Sequence, residues 1–284
     1  MRPFEYIRPG TLAEAIAALA QHGADARVIA GGTDVLIELR RPNARTPKVI
    51  VDISGLKDLR GIASEGGSLV VRPLTTHAVI VESKLLRELA PLLSTSASTI
   101  GSPQIRNRGT VGGNIMNAAP CADTVPPLVA LVASVKLESQ KGSRTVSIAE
   151  LFERPYRTTA RPDELLTEIR FSKLPKDARS VFIKLGRRNA VSISRLSVAV
   201  TLLRDEDRTI VDARIAPGSA FATWKRVTEA EKMLIGERSS RELFTAAGRK
   251  VSEVMVAETG RRWSTEYKEP VLAILVRRAL ESCV

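Results

Sequence analysis

Aromatic residues, cysteines and long apolar segments are all scarce in this sequence. Phe, Trp and Tyr make up 4% of the 284 residues, which leaves few rings for stacking on nucleic-acid bases. Two cysteines, Cys121 and Cys283, cannot supply a disulfide framework or the ligands of an iron–sulfur cluster. No segment reaches the ~18 consecutive apolar residues of a membrane span, and the N-terminus lacks the apolar core of a secretion signal. We therefore expect a cytoplasmic protein without a membrane span.

The sequence carries a formal net charge of +12, which raises the possibility of a nucleic-acid partner. The basic residues occur in pairs such as Arg40-Arg41 and Arg277-Arg278, without a long basic block. They are not interleaved with aromatic residues either. This distribution favours a protein that binds a pyrophosphate or contacts acidic partner proteins, and it argues against nucleic-acid binding.

The first third of the chain alternates between predicted strands and helices. A capping box at Thr11 and Glu14 begins a helix that Gly23 ends. A strand over 27–30, a helix over 34–41 and a strand over 48–53 follow. A second αβ region begins with a strand over 68–72 and a helical pattern that runs from Thr76 to Leu92.

Periodicity is weak from Thr99 to Asp123, a segment rich in Gly, Asn and Pro. A loop of this length inside a compact domain usually has a function. Helix and strands resume at 127–132, 135–138 and 164–171. Residues 172–180 are the best linker candidate. Beyond them lie strands at 181–185, 196–203 and 209–215, two helices with capping boxes at Thr228/Glu231 and Ser239/Glu242, and a helix over 270–282. Strands followed by helices predict a separate α+β domain.

The segment Ala30-Gly31-Gly32-Thr33-Asp34 lies between a predicted strand and a predicted helix. Glycine allows the backbone to turn sharply and to approach a ligand closely, and amides at such a turn can donate to an anion. Thr33 can cap the helix or donate its hydroxyl to a phosphate oxygen. A tight turn with an N-cap and no ligand explains the same residues, so this segment alone does not settle the function.

The second glycine-rich segment runs from Thr99 to Ile115 and contains four glycines, two arginines and two threonines. This composition can surround a diphosphate with amides, hydroxyls and positive charge. A plain surface loop is the alternative. The apolar residues Ile100, Ile105, Val111 and Ile115 argue against it, because they predict that the loop packs on a core.

Together the two segments resemble the signature sequences of the FAD-binding subunits of molybdenum hydroxylases. The resemblance rests on Ala30–Thr33 and Gln104–Ile115, and it extends over nearly the whole chain in the right order. Further matches are Ala119–Asp123, Glu164–Ile169, Lys184–Arg188, Glu266–Lys268 and Val276–Leu280. The family includes the flavoprotein subunits of carbon monoxide dehydrogenase and bacterial xanthine dehydrogenase.

The resemblance implies a fold class and a domain division. The fold is α+β: a FAD-binding domain of the p-cresol methylhydroxylase type, made of two α+β subdomains, followed by a smaller α+β C-terminal domain. The FAD-binding domain covers residues 1–174, with subdomains at about 1–56 and 57–174. The C-terminal domain, of the carbon monoxide dehydrogenase flavoprotein type, covers 179–284.

The resemblance also implies the residues that bind FAD. Ala30, Gly31, Gly32, Thr33 and Asp34 are expected to line the diphosphate on one side. The other side is expected to consist of Thr110, Val111, Gly112, Gly113 and Asn114. Asp123 is expected at the adenosine or ribityl part, and Leu166, Ile100 and Lys184 near the flavin. Without the resemblance, Lys184 is an ordinary exposed strand lysine.

The family implies an electron-transfer role in a complex. A large partner holds the molybdenum–pterin cofactor, and a small partner with two [2Fe-2S] clusters passes electrons to the FAD of this chain. The FAD then reduces NAD or another external acceptor. We expect no catalytic acid–base pair and no metal site in this chain, and the family suggests a dimer of heterotrimers. Alternatives are a stand-alone FAD-dependent reductase of similar fold and a basic nucleic-acid-binding protein. Neither His22 nor His77 lies in a glycine-rich segment, so covalent flavin attachment through histidine has no support.

Overall fold

The N-terminal part of the chain is a small parallel sheet covered by one long helix. The computed structural model describes residues 3–42, 46–188 and 190–284. The first elements are β1 (Glu5–Ile7), α1 (Leu12–His22), β2 (Ala26–Ile29), α2 (Val35–Leu39) and β3 (Val49–Asp52). The strands are parallel in the order β1-β3-β2, so the central strand β3 is buried along its whole length.

Helix α1 forms where its end signals and its apolar spacing agree. The Thr11 hydroxyl accepts a hydrogen bond from the Glu14 amide, and the helix ends at Gly23, which has a φ of 50°. Both end signals are therefore confirmed. Ala15, Ile16 and Leu19 lie at helical spacing and pack on the strand residues Val49 and Val51. This packing fixes the sheet beneath the first glycine-rich segment.

The middle of the chain is an antiparallel five-stranded sheet in the order β4-β5-β10-β6-β7, with helices on one face. Its strands are β4 (Ile62–Glu65), β5 (Ser68–Val71), β6 (Ser134–Ser139), β7 (Gly142–Ser147) and β10 (Leu165–Ser172), beside a small hairpin of β8 (Phe152–Arg154) and β9 (Arg157–Thr158). Its helices are α3 (His77–Glu82), α4 (Lys84–Leu89), α5 (Pro91–Ser98), α6 (Pro103–Arg108), α7 (Val111–Asn117) and α8 (Val125–Ala130).

Two expectations for this middle region are wrong in detail. The helical pattern from Thr76 to Leu92 is divided into α3, α4 and α5, because the chain becomes extended at Ser83 and leaves helical geometry at Ala90, before a proline. The segment 99–123 contains the helices α6 and α7. Each is too short to show helical periodicity, yet the hydroxyls of Ser102 and Thr110 cap them.

The C-terminal part is an antiparallel sheet covered by three helices. It comprises β11 (Arg179–Leu185), β12 (Leu196–Arg204), β13 (Ile210–Gly218), α9 (Thr228–Leu234), α10 (Arg241–Thr259) and α11 (Thr265–Glu281). The strands-then-helices order agrees with the sequence pattern. Both predicted caps are off by one residue, since the N-caps are Val227 and Ser240. Helix α11 begins before the predicted residue 270, and Pro270 lies within it.

The central strand β12 is buried on both faces and joins the two halves of the molecule. Val198, Val200 and Leu202 point into the core beneath α10 and α11. Ala199 points the other way, into the core of the middle region. A close contact lies at Gly218, where an added Cβ would lie 2.7 Å from Cγ of Pro126, in the first turn of α8. The C-terminal sheet thus packs directly against α8.

Candidate functional site

The two glycine-rich segments predicted from the sequence lie against each other. After β2 the chain turns through residues 30–34, and this turn meets the end of α6. A Cβ added to Gly31 would lie 1.9 Å from the carbonyl oxygen of Arg108 and 3.2 Å from Gly109 Cα. Such distances are far below a van der Waals contact, so the juxtaposition requires glycine at position 31.

The turn after β2 presents a row of backbone amides without protein acceptors. In the described parts of the chain, none of the amides of residues 31–35 donates a hydrogen bond to another protein group. Gly32 has a φ of 77°, a conformation that favours glycine. Asp34, not Thr33, is the N-cap of α2, and its side chain makes no capping bond. Consecutive free amides at a tight turn form a concave donor surface that suits an anion.

The segment 110–114 is held in place by hydrogen bonds within the protein. The amide of Val111 donates to Thr75 O at 3.0 Å, and that of Gly112 donates to Pro73 O at 2.9 Å. The Gly113 amide donates to the Thr110 hydroxyl at 3.1 Å. These amides are therefore engaged within the protein. The segment therefore offers a surface to a ligand rather than backbone donors. Gly113 is exposed on that surface, and a Cβ added to Gly112 would lie 2.5 Å from Pro73.

Among the described residues, the side-chain NH₂ group of Asn114 has no acceptor. Its side-chain oxygen accepts a hydrogen bond from the Thr124 hydroxyl at 2.7 Å. That bond orients the amide and leaves its NH₂ group as a donor. Thr124 is fully buried, so the orientation of Asn114 is set from within the core.

His77 lies directly beneath the turn at Gly109, a placement that sequence reasoning missed. Its backbone amide donates to Gly109 O at 3.0 Å, and a Cβ on Gly109 would lie 3.1 Å from the imidazole Cδ2. The side chain is buried, and its Nδ1 has no partner among the described residues. Burial, reinforced by the positive charge of Arg106, lowers the pKa of His77 to about 4. The ring is therefore neutral at pH 7 and supports the turn by packing.

Asp123 and Lys184 form a buried ion pair between the middle region and the C-terminal sheet. Lys184 Nζ lies 2.6 Å from Asp123 Oδ2, and the two side chains are 10% and 7% exposed. Lys184 also donates to Thr99 O at 3.0 Å, and the Ser194 hydroxyl donates to the other oxygen of Asp123. Burial raises the pKa of the Asp123 carboxyl, and Lys184 and Ser194 counteract part of that rise. Lys184 is thus not the exposed strand lysine that its sequence context allowed.

The remaining predicted residues, Ile100 and Leu166, differ in exposure. Ile100 is half-buried, next to the carbonyl of Thr99, and its own carbonyl accepts a hydrogen bond from Arg106 at 2.9 Å. Leu166 is 3% exposed within the core of the middle region, which leaves little of its side chain for a ligand. The structure brings Ile100 to Lys184 and encloses Leu166.

Cys121 connects the ion pair with the glycine-rich turn. Burial raises the pKa of its thiol, the carboxylate of Asp123 adds to that rise, and Asp34 adds a smaller contribution. Asp34 and Asp123 therefore lie within electrostatic range of the same thiol. The turn at 30–34 therefore lies near the segment at 119–124.

Comparisons with known proteins identify the family of this chain. Residues 2–174 match the family model described as the FAD binding domain in molybdopterin dehydrogenase. Residues 182–283 match the model of the CO dehydrogenase flavoprotein C-terminal domain. The chain belongs to this family of FAD-binding subunits. The predicted resemblance is confirmed, and so is the α+β fold with a FAD-binding and a C-terminal domain.

Individual relatives agree over almost their full length. The carbon monoxide dehydrogenase medium chain of Hydrogenophaga pseudoflava is 30% identical, over 98% of this chain and 96% of the relative. The xanthine dehydrogenase FAD-binding subunit of Escherichia coli O157:H7 is 33% identical, over 98% and 95%. Among solved structures, a chain of reconstituted CO dehydrogenase from Oligotropha carboxidovorans superposes with a TM-score of 0.93 at 29% identity, covering 99% of this chain and 98% of the other.

The site geometry fits the FAD that defines this family. FAD contains a diphosphate, and the free amides of residues 31–35 offer donors for its oxygens.

The described residues contain no cluster of three or more His, Cys, Asp or Glu side chains able to hold a metal. Nor is any helix in the described ranges long and apolar enough to span a membrane.

Proposed function

We propose that this chain is the electron-transfer subunit of a heterotrimeric molybdenum hydroxylase. It takes electrons from the [2Fe-2S] clusters of a small partner subunit, while a large partner holds the molybdenum–pterin cofactor and oxidises the substrate. It passes the electrons to NAD or another external acceptor. Relatives named as a medium chain and as a FAD-binding subunit, matched over nearly their full length, support this role.

The observation that carries the proposal is the contact between the two glycine-rich segments. Gly31 touches Arg108 only because it lacks a side chain, and this contact places the free amides beside the segment 110–114. We propose that Ala30, Gly31, Gly32, Thr33 and Asp34 bind the diphosphate through their backbone. Thr110, Val111, Gly112, Gly113 and Asn114 form the facing wall, where the amide of Asn114 supplies a side-chain donor.

Bound FAD accepts electrons singly and can release them in pairs, which suits the step between iron–sulfur clusters and a two-electron acceptor. The protein's part is to hold the cofactor and to set the charge around it. Lys184 pairs with Asp123 at a nearly buried position, where an unpaired charge would be costly. We propose that Lys184 and Ile100 contact the flavin end and that Asp123 binds a hydroxyl of the cofactor beside them. Leu166 supports the flavin from the core.

The finer organisation is also part of the proposal. We infer an FAD-binding domain over 1–174, with subdomains at about 1–56 and 57–174, and a C-terminal domain over 179–284. The strand β10 ends at Ser172 and β11 begins at Arg179, which agrees with a connection between them. We further propose a dimer of heterotrimers that works in the cytoplasm, without nucleic acid or membrane as a partner.

The test is an absorption spectrum of the native complex, isolated through a tag on this chain, with metal analysis of the same sample. Flavin bands over an iron–sulfur background, together with molybdenum, are expected. Flavin without partner chains or metals would instead support a stand-alone FAD-dependent reductase. A preparation without flavin would contradict both functions.

A further inference from the structure

Thr124 is a fully buried threonine whose hydroxyl has one hydrogen-bond partner among the described residues. It occupies the N-cap position of α8, where a threonine hydroxyl usually accepts from the amide of the second or third helical residue. Those two residues are Pro126 and Pro127, which have no N–H group. The hydroxyl therefore cannot cap its own helix, and it donates instead to the side chain of Asn114 at 2.7 Å.

The direction of this hydrogen bond fixes which end of the Asn114 amide faces the core. A buried hydroxyl hydrogen without an acceptor is costly, and in the described parts of the chain Asn114 is the acceptor within reach of Thr124. The atom that meets the hydroxyl is therefore the side-chain oxygen of Asn114. The NH₂ group lies at the opposite side of the amide, where no described protein group accepts from it.

The first turn of α7 consists largely of residues that disfavour a helix. Gly112, Gly113 and Asn114 follow one another shortly after the N-cap Thr110, and glycine and asparagine are poor helix formers. Residues that oppose their local structure are expected at functional sites. The backbone amide of Asn114 donates to Thr110 O at 3.0 Å, while Thr124 holds the side chain. The protein thus fixes both the backbone and the side chain of Asn114.

We propose that Thr124 is a positioning residue for FAD, which acts by orienting Asn114. With its oxygen turned towards Thr124, Asn114 presents a donor to the negatively charged diphosphate. With the amide reversed, it would present an acceptor and repel the same phosphate oxygens. Because a hydrogen bond to a charged group is stronger than a neutral one, the orientation of this single amide affects the affinity for FAD. This inference rests on the proposed function, in which the segment 110–114 faces the free amides of residues 31–35.

The experiment measures the dissociation constant for FAD by titration of the full chain, together with urea unfolding of the FAD-free chain. Thr124→Val replaces the hydroxyl by a methyl group of similar size, and Thr124→Ser keeps the hydroxyl. Thr201→Val is the matched control, because Thr201 is 2% exposed in β12 and its hydroxyl has no partner among the described residues. Asn114→Ala, alone and combined with Thr124→Val, shows whether Thr124 acts through Asn114.

Thr124→Val is expected to weaken FAD binding about tenfold, whereas Thr124→Ser and Thr201→Val remain within about twofold of the wild type. In the Asn114→Ala background, Thr124→Val is expected to cause no further loss of affinity, because the amide that it orients is already absent. This combination separates an effect on the ligand from a loss of stability, which the urea unfolding reports independently.

Two outcomes would overturn the proposal. Wild-type affinity in Thr124→Val, with or without a lower free energy of unfolding, would mean that the hydrogen bond only joins α7 to α8. An equal loss of affinity with and without Asn114 would mean that Thr124 does not act through it. If Thr124→Val does not fold, Thr124→Ala takes its place and is judged by the same two outcomes. A wild-type chain that binds no FAD would instead overturn the proposed function, so the two failures are distinguishable.

Discussion

Gly31 and Arg108 are in backbone contact, 77 positions apart in the sequence, and this contact assembles the candidate site. A methyl group at position 31 would meet the Arg108 carbonyl oxygen at 1.9 Å. Neither backbone can yield without disturbing its neighbours, since the His77 amide holds Gly109 O from below. The position of the free amides of residues 31–35 therefore depends on the absence of a side chain at Gly31.

Gly31→Ala is expected to separate the turn from α6 and to weaken FAD binding by about a hundredfold, which is about 3 kcal/mol. The measurement is flavin content of the purified variant, followed by titration with FAD. Gly67→Ala is the matched control, because an added Cβ there meets nothing within 4 Å. Wild-type affinity in Gly31→Ala would show that the contact is not required for binding.

The Asp123–Lys184 pair is expected to be strongly coupled. Removing either charge alone, in Asp123→Asn or Lys184→Met, leaves the other nearly buried and unpaired, at a cost of about 3–5 kcal/mol of unfolding free energy. The double variant is expected to be more stable than the sum of the single losses implies. Urea unfolding of the four proteins gives the coupling energy. Additive losses would mean that the two groups do not interact.

Acidification is expected to destabilise the protein through His77. The folded-state pKa is about 4 and the ordinary value is 6.5, so below pH 6.5 the unfolded chain binds a proton that the folded chain does not. The contribution of His77 to the free energy of unfolding is complete above pH 6.5. It decreases by about 3 kcal/mol as the pH approaches 4. Urea unfolding at several pH values should show a smaller decrease in His77→Leu than in the wild type. Parallel curves would contradict a buried neutral imidazole.

Local signals predicted much of the fold but not the pairing of distant residues. Thr11 and Gly23 bound α1 because capping is a local interaction. Helices α6 and α7 were missed because six or seven residues show no periodicity, although Ser102 and Thr110 were available as cap signals. The pairing of Asp123 with Lys184 depends on how β11 packs beside the middle region, and no local pattern encodes that.

The resemblance predicted the cofactor, and the structure shows which backbone amides near the candidate site already have acceptors within the protein. The resemblance predicted that residues 110–114 line the diphosphate, and in the structure the amides of Val111, Gly112 and Gly113 donate to Thr75, Pro73 and Thr110. Such bonds join segments that are far apart in the chain. Ser194 and His77 were missed for the same reason, since each gains its role from a neighbour that only the fold supplies.

The location of the flavin is the central claim, and native mass spectrometry of the tagged complex tests it most directly. Mild dissociation separates the chains, and the mass of each shows which cofactor it keeps. The account predicts that this chain is released with one FAD and without iron or molybdenum, and that the metals remain with its partners. Release of this chain without FAD, with the flavin on another chain, would contradict it.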